Sequence, residues 1–228
     1  MPEAAEWLND GRVPPETFVS VNVSAREIQQ LGFVDGVKAV LGESGLDPKR
    51  LVLEITETAL LRATPATVAT LEAVRAMGVR TVIDDFGTGY FSLSHLRQFP
   101  VDALKIAKEF VQDVDEASKS SALAGAIIAM SRSLGIETVA EGIETSEQAD
   151  RMQRLGCAFG QGYAFARPMN VADLLASWGE PAAMATAPGA APTKRTKASV
   201  EASVGATTRR VAAKVAPVVP PTRRPAGA

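Results

Sequence analysis

Six short apolar runs alternate with helices of well-marked ends, and this rhythm restricts the chain to a parallel sheet covered by helices. The runs are Phe18–Val23, Leu51–Ile55, Arg80–Ile83, Ala103–Ile106, Glu137–Ala140 and Gly162–Phe165, rich in Val, Ile and Leu as buried parallel strands are. Helix boundaries fall between them. Ser24 with Glu27 forms a capping box, as does Thr145 with Gln148. Thr64 precedes a proline at the first helical position, and Gly78 ends that helix. Leu123, Ile127, Met130 and Leu134 predict one apolar stripe, ended by Gly135, and Asn170 opens a last helix towards Trp178.

Strand–helix alternation fits either a doubly wound sheet or a barrel, and the polar residues separate the two. An open sheet gathers ligand groups at one switch point, whereas a barrel draws on nearly every strand's C-terminal end. Here Asn22 ends the first run, Glu57 follows the second, and Asp84 and Asp85 follow the third. Lys105 lies in the fourth, Glu141 and Glu144 follow the fifth, and Gln161 opens the sixth. A solvated strand end explains one such position but not six in succession. The expected fold is a TIM-like (β/α) barrel.

Asn, Asp and Glu oxygens are hard ligands suited to Mg²⁺ or Mn²⁺. One cysteine, Cys157, and one histidine, His95 on an expected helix, argue against zinc. Adjacent aspartates can serve two metals, one bridging and one terminal, an arrangement that activates water and neutralises a phosphoryl group. Lys105 adds a cation able to orient that water or to stabilise the pentavalent state. Gly87 and Gly89 predict a flexible loop where substrate or a partner subunit could approach. A metal-dependent aldolase is a weaker fit, because a Schiff-base lysine would not be surrounded by hard metal ligands.

Charge divides the chain in two. Residues 181–228 hold eight basic residues and one acidic, a net +7 that leaves −9 on the first 180 out of an overall −2. The domain is expected over 1–180, followed by a disordered basic tail rich in Ala and Pro, without the aromatic residues of a nucleic-acid binder. No apolar run reaches membrane-span length, no signal peptide opens the chain, and a lone cysteine suits a reducing compartment, so the expected location is cytoplasmic.

The segments Val21-Asn22-Val23-Ser24, Leu53-Glu54-Ile55-Thr56-Glu57 and Asp84-Asp85-Phe86-Gly87-Thr88-Gly89-Tyr90 resemble the EAL family of cyclic di-GMP phosphodiesterases. So do Leu104-Lys105-Ile106, Ala140-Glu141-Gly142-Ile143-Glu144-Thr145 and Gln161-Gly162-Tyr163, in matching order from about Trp7 to Pro168. The resemblance implies bacterial second-messenger turnover, in which cyclic di-GMP is hydrolysed to pGpG with Mg²⁺ or Mn²⁺ in a two-metal site. It places Asn22, Glu57 and Asp84 on a first metal, with Asp84 bridging to a second held by Asp85 and Glu141. Lys105, Asp85 and Glu141 then form the catalytic set, with Lys105 at the nucleophilic water. Glu144 braces the loop after Asp85, and Thr88, Gly89 and Gln161 lie near substrate. It further implies a homodimer through that loop, and a sensory or GGDEF domain upstream of this chain.

Three departures bear on activity. The namesake Glu-Ala-Leu strand and one further strand belong upstream of Met1, taking one first-metal carboxylate with them. Ala107 stands where the family carries Asp, and Phe91 where it usually carries Ser. The expectation is therefore an impaired phosphodiesterase in the chain as written. The alternative is a non-catalytic EAL-like module that binds dinucleotide or protein.

Overall fold

The computed structural model describes residues 2–178 except 10, 12, 62, 90–95 and 113–117, together with 213–214. The reading of His95 and Phe91, and most of the expected tail, lie outside the described residues. Six parallel strands form, the first five on the expected runs: β1 Val19–Asn22, β2 Leu51–Thr56, β3 Arg80–Phe86, β4 Ala103–Ile106, β5 Glu137–Ala140 and β6 Phe159–Gly160. They lie side by side in chain order, and a short seventh strand, β7 Ala213–Lys214, runs antiparallel beside β1. Among the described residues β6 does not meet β1, so the sheet is a half-barrel, an incomplete TIM-like barrel.

The two faces of the sheet differ in chemistry. Val19, Leu51, Leu53, Ile55, Ile83 and Leu104 look outward and pack with Leu8, Ile28, Leu41, Leu71 and Val74 from the covering segments. Each such side chain contributes about 1.5–3 kcal/mol by leaving water. The concave face has an apolar floor of Val52, Val82 and Ala103, with Phe18 against it and the Arg80 guanidinium 4.7 Å from the Phe18 ring.

Capping follows the sequence closely. Reciprocal boxes form at Ser24/Glu27 and Thr145/Gln148, and a third pairs Thr64 with Thr67. The Asn170 side chain accepts from the Asp173 amide at 2.9 Å at the start of the helix Val171–Trp178. No described helix is long and apolar enough to cross a membrane.

Two expectations change. The sixth strand is Phe159–Gly160, where pairing to Val139 and Ala140 sets it. Tyr163–Phe165 turns instead, with the Phe165 amide donating to Gly162 O, because Gly162 lies so close to the Ile143 backbone that any Cβ would collide. The helix Lys119–Ser133 buries Ser121, Ala124, Ile128 and Ser131 rather than the Leu123 stripe, and Leu123 is 51% exposed. Small residues let this helix lie close to its neighbours, and Ile127 and Met130 pack only in part. Within 181–228 the described residues are Ala213–Lys214, the strand β7.

Arg50 fastens the chain that enters β1. Its guanidinium donates to Leu8 O at 2.6 Å, Thr17 O at 2.7 Å and Pro14 O at 3.2 Å, just before β2 begins. Arg50→Ala is expected to lower unfolding stability by about 2–4 kcal/mol, since three carbonyls lose a charged donor at once. Urea denaturation midpoints test this, and a loss under about 0.5 kcal/mol would contradict it.

Candidate metal centre

Parallel register and the two-residue repeat of a strand decide which side chains meet. Asn22 is level with Glu54, Glu54 with Val82, and Thr56 with Asp84, while Lys105 is level with Val139. Asn22, Glu54, Asp84, Lys105 and Glu141 therefore fall on the concave face at the C-terminal ends of five adjacent strands. Asn22 is exposed at the rim; Glu54, Asp84 and Lys105 are buried.

Asp85 joins them through a bulge. Ile83 pairs with Leu104 and Phe86 with Ile106, so three steps along β3 oppose two along β4. The additional residue is Asp85, in the left-handed region at φ 54°, and it is the one described non-glycine with positive φ. Ordinary alternation would turn adjacent carboxylates to opposite faces; the bulge lets both face one way. Oxygens of Asp84, Asp85 and Glu141 all lie within 4.8 Å of one another, a set of hard donors that fits a divalent cation.

Lys105 sits at the centre. Its Nζ is 2.6 Å from Glu141 Oε1, 2.9 Å from Asp84 Oδ1 and 3.1 Å from Glu54 Oε2. Burial opposes the charge on this ammonium, but Glu141, Glu54 and Asp84 outweigh it and raise its pKa. Burial raises the Glu141 pKa too; Asp84 and Asp85 add to that rise and Lys105 opposes it. One ammonium shared by three carboxylates leaves negative charge uncompensated, the electrostatic condition that draws in a proton or a cation.

Glu57 lies elsewhere. Its carboxylate is buried and accepts from the Gly87 amide at 2.7 Å, pinning the loop after Asp85. Gly89 passes so close that a Cβ there would strike Glu57 Oε1. Thr88 is exposed and its Oγ1 donates to Asp85 O at 3.0 Å. A brace on this loop, expected of Glu144, is thus made by Glu57, and the glutamate of β2 that lies beside Lys105 is Glu54. Glu144 instead accepts from Lys108 Nζ at 2.6 Å and Gln112 Nε2 at 3.4 Å. Gln161 follows β6 and is half-buried, with its amide donating to Ala140 O at 2.8 Å beside Glu141. Ala107 is buried, and its amide donates to Phe86 O at 3.4 Å. The missed residue had a legible signal: a lone glutamate inside Leu51-Val52-Leu53-Glu54-Ile55 must face a counter-charge.

The same chain matches a family model described as the EAL domain over residues 1–168. The chain belongs to the EAL domain family. This EAL chain is 41% identical over 171 residues to the bifunctional diguanylate cyclase/cyclic di-GMP phosphodiesterase MucR of Pseudomonas aeruginosa, across 75% of its own length. It spans only 25% of MucR. The solved EAL domain of Mycobacterium smegmatis DcpA superposes with a TM-score of 0.73 at 34% identity, over 78% of this chain and 79% of that one. A manganese/cyclic di-GMP complex of Klebsiella pneumoniae BlrP1 gives 0.64 at 31% identity, over 72% of this EAL chain and 41% of BlrP1.

Lys105→Met is expected to destabilise the fold by about 3–5 kcal/mol at neutral pH, since it leaves three neighbouring carboxylates without their cation. Carboxylates in that variant hold protons more tightly when folded than unfolded, so the deficit shrinks as pH falls; wild type keeps its lysine contribution until pH rises past the ordinary lysine range. Unfolding curves at pH 5 and pH 8 read the difference, and an equal deficit at both would contradict this account. Separately, the Lys108 hydrogen bond and charge hold the Glu144 carboxyl below the usual glutamate range. That contribution is present at neutral pH and lost as pH falls; carboxyl NMR is expected to show Glu144 back at an ordinary pKa in Lys108→Met.

Proposed function

We propose that this chain binds cyclic di-GMP with Mg²⁺ or Mn²⁺ at the concave rim and hydrolyses it to pGpG. The observation that carries the reading is the convergence of Glu54, Asp84 and Glu141 on Lys105, with Asp85 turned into the same group by its bulge. The names of MucR and of the BlrP1 complex support both the substrate and a divalent cation. In this reading Asn22, Glu54 and Asp84 hold one cation, and Asp84, Asp85 and Glu141 the second. Glu57 is a positioning residue for the loop and not a ligand. A bound divalent pair supplies charge neutralisation at a phosphoryl group and acidifies water.

The chain's own groups do the rest. Opening one phosphodiester adds water oxygen to phosphorus and releases the 3′ oxygen, which takes up a proton; the product then keeps its 5′ phosphate. The Lys105 ammonium, fixed by its carboxylates, lies where it can orient that water and offset charge on the phosphorane oxygens. Gln161, beside Glu141 through the β5–β6 pairing, faces the dinucleotide. Thr88 and Gly89 shape the loop, which also offers a surface for pairing two barrels. A sensory or GGDEF segment elsewhere in the protein would supply regulation. Ala107, at the position after Leu104-Lys105-Ile106, favours the second reading, in which the dinucleotide binds without turnover.

Two variants and two assays separate these readings. Calorimetry with Mn²⁺ alone is expected to show at least about tenfold weaker binding in Glu54→Gln and near wild-type binding in Glu57→Gln. Chromatography of pGpG is expected to show slower product formation in both. Cyclic di-GMP bound without pGpG, in this chain and in one extended upstream, would establish the binding module; Mn²⁺ binding indifferent to Glu54 would overturn the ligand assignment.

A further inference from the structure

Two lysines three residues apart pair with two glutamates three residues apart. Lys105 Nζ lies 2.6 Å from Glu141 Oε1, and Lys108 Nζ lies 2.6 Å from Glu144 Oε1. The inner pair belongs to the metal centre, whereas the side chains of the outer pair are 51% and 40% exposed. An ion pair so exposed adds little to folding stability. We propose that it serves geometry instead: Lys108 is a positioning residue that clasps the turn after β5 and so fixes where the Glu141 carboxylate points. This role rests on the reading of Glu141 as a cation ligand.

The turn has a gap that the clasp fills. β5 ends at Ala140, and the chain turns at Gly142, which is left-handed at φ 68°. The Glu141 amide donates to Ile106 O at 3.1 Å and the Ile143 amide to Gln161 O at 3.1 Å, so the backbone is held on either side of Gly142. Gly142 itself is covered by the Lys108 stem, and any Cβ there would collide with Lys108 Cβ, Cγ and Cδ. The stem thus lies across the residue next to Glu141, and its ammonium ends on Glu144 beyond.

Both ends of the clasp are anchored. Lys108 opens the short helix Lys108–Gln112, in which Val111 is buried and Phe110 lies against Gly87. Gln112, one turn on, donates from Nε2 to Glu144 Oε1 at 3.4 Å. Glu144 is fixed through its own backbone, because Gln148 Oε1 accepts from the Glu144 amide at 2.6 Å and from the Thr145 amide at 3.1 Å. One five-residue helix therefore touches the chain just past Asp85, through Phe110, and the chain just past Glu141, through Lys108. Loss of either contact would change the separation of the two carboxylates, and that separation decides how well one cation is held.

Arg167 also draws on Glu144, so removing Lys108 alone would leave a second cation there and would change the charge at the rim. The test therefore uses Lys108→Met/Glu144→Gln, which breaks the clasp at constant net charge, and Lys108→Arg, which keeps a cation in place. In the metal-free chain at low ionic strength, amide exchange by NMR is expected to be at least about tenfold faster at Glu141 and Ile143 in the double variant. Lys108→Arg should stay near wild type, and the Glu137 amide, bonded to Asp102 O at the far end of β5, should be unchanged in both. Calorimetry is expected to show Mn²⁺ bound at least about threefold more weakly by the double variant, less than the ~10–100-fold typical of a group bonded directly to a ligand. Exchange that quickens equally at Glu137 would make the pair merely structural and overturn the clasp. So would equal Mn²⁺ affinity in wild type and double variant, or a loss that Lys108→Arg shares. Wild type that binds no Mn²⁺ at all would instead overturn the reading of the site, and the clasp with it.

Discussion

A single ammonium group, Lys105 Nζ, lies within 3.1 Å of carboxylates from three other strands, and the shape of the concave rim follows from it. Apolar side chains on the outer face can tolerate small slips in register, but a buried lysine with three fixed acceptors cannot. Its contacts tie β2, β3 and the end of β5 to β4, which is where strand ends would otherwise fray. The attraction does not neutralise the rim. Three carboxylates around one cation, with Asp85 beside them, leave an excess of negative charge; protonation of Glu141 is one response, its pKa raised first by burial and further by Asp84 and Asp85 against the pull of Lys105. Divalent cations are the other response available, and they engage the same oxygens.

The bulge at Asp85 extends this logic to the backbone. A non-glycine in the left-handed region costs on the order of 1–2 kcal/mol, so something must hold it there. Local bonds do so from three directions: the Asp85 amide to Asp84 Oδ1 at 3.2 Å, Thr88 Oγ1 to Asp85 O, and the Gly87 amide to Glu57. Glu57 is thus committed to shaping the loop. A carboxylate engaged with a backbone amide, buried and wedged against Gly89, is poorly placed to serve as a ligand as well. Two glutamates three residues apart have different jobs because one belongs to the strand and the other opens the helix that follows it.

Much of this was legible in the residues. Apolar runs located four strands within a residue and the third to within three, since its end runs on into Asp84-Asp85-Phe86, and capping pairs located helix starts, because both signals are local and physical. The sixth strand was misplaced since Gly162–Phe165 has the composition of a strand while its backbone is crowded by Ile143, a tertiary contact that composition does not encode. Glu57 is visible in sequence as a polar residue just past a strand end, whereas Glu54 lies hidden inside an apolar run. Parity from Asn22 through its register partner would have pointed to Glu54, but register depends on pairing that the sequence states only indirectly. Asp84 and Lys105 end or interrupt their strands on the face that register assigns them, and Glu141 follows β5 beside them. The bulge itself carried no signal beyond two adjacent aspartates.

An open half-barrel raises the question of why a charged rim is tolerable at all. The floor beneath it answers in part: Val52, Val82 and Ala103 are buried against Phe18, so the lower concave face is a small apolar cluster rather than an open trough. Charge is concentrated at the strand ends, where the ion pairs form and solvent remains within reach of Asn22 and Asp85. The two sheet edges are then unequal. β6 is two residues long and offers little backbone to a partner, which is one way natural sheets limit edge pairing. β1 is longer, and it is beside β1 that the antiparallel segment lies.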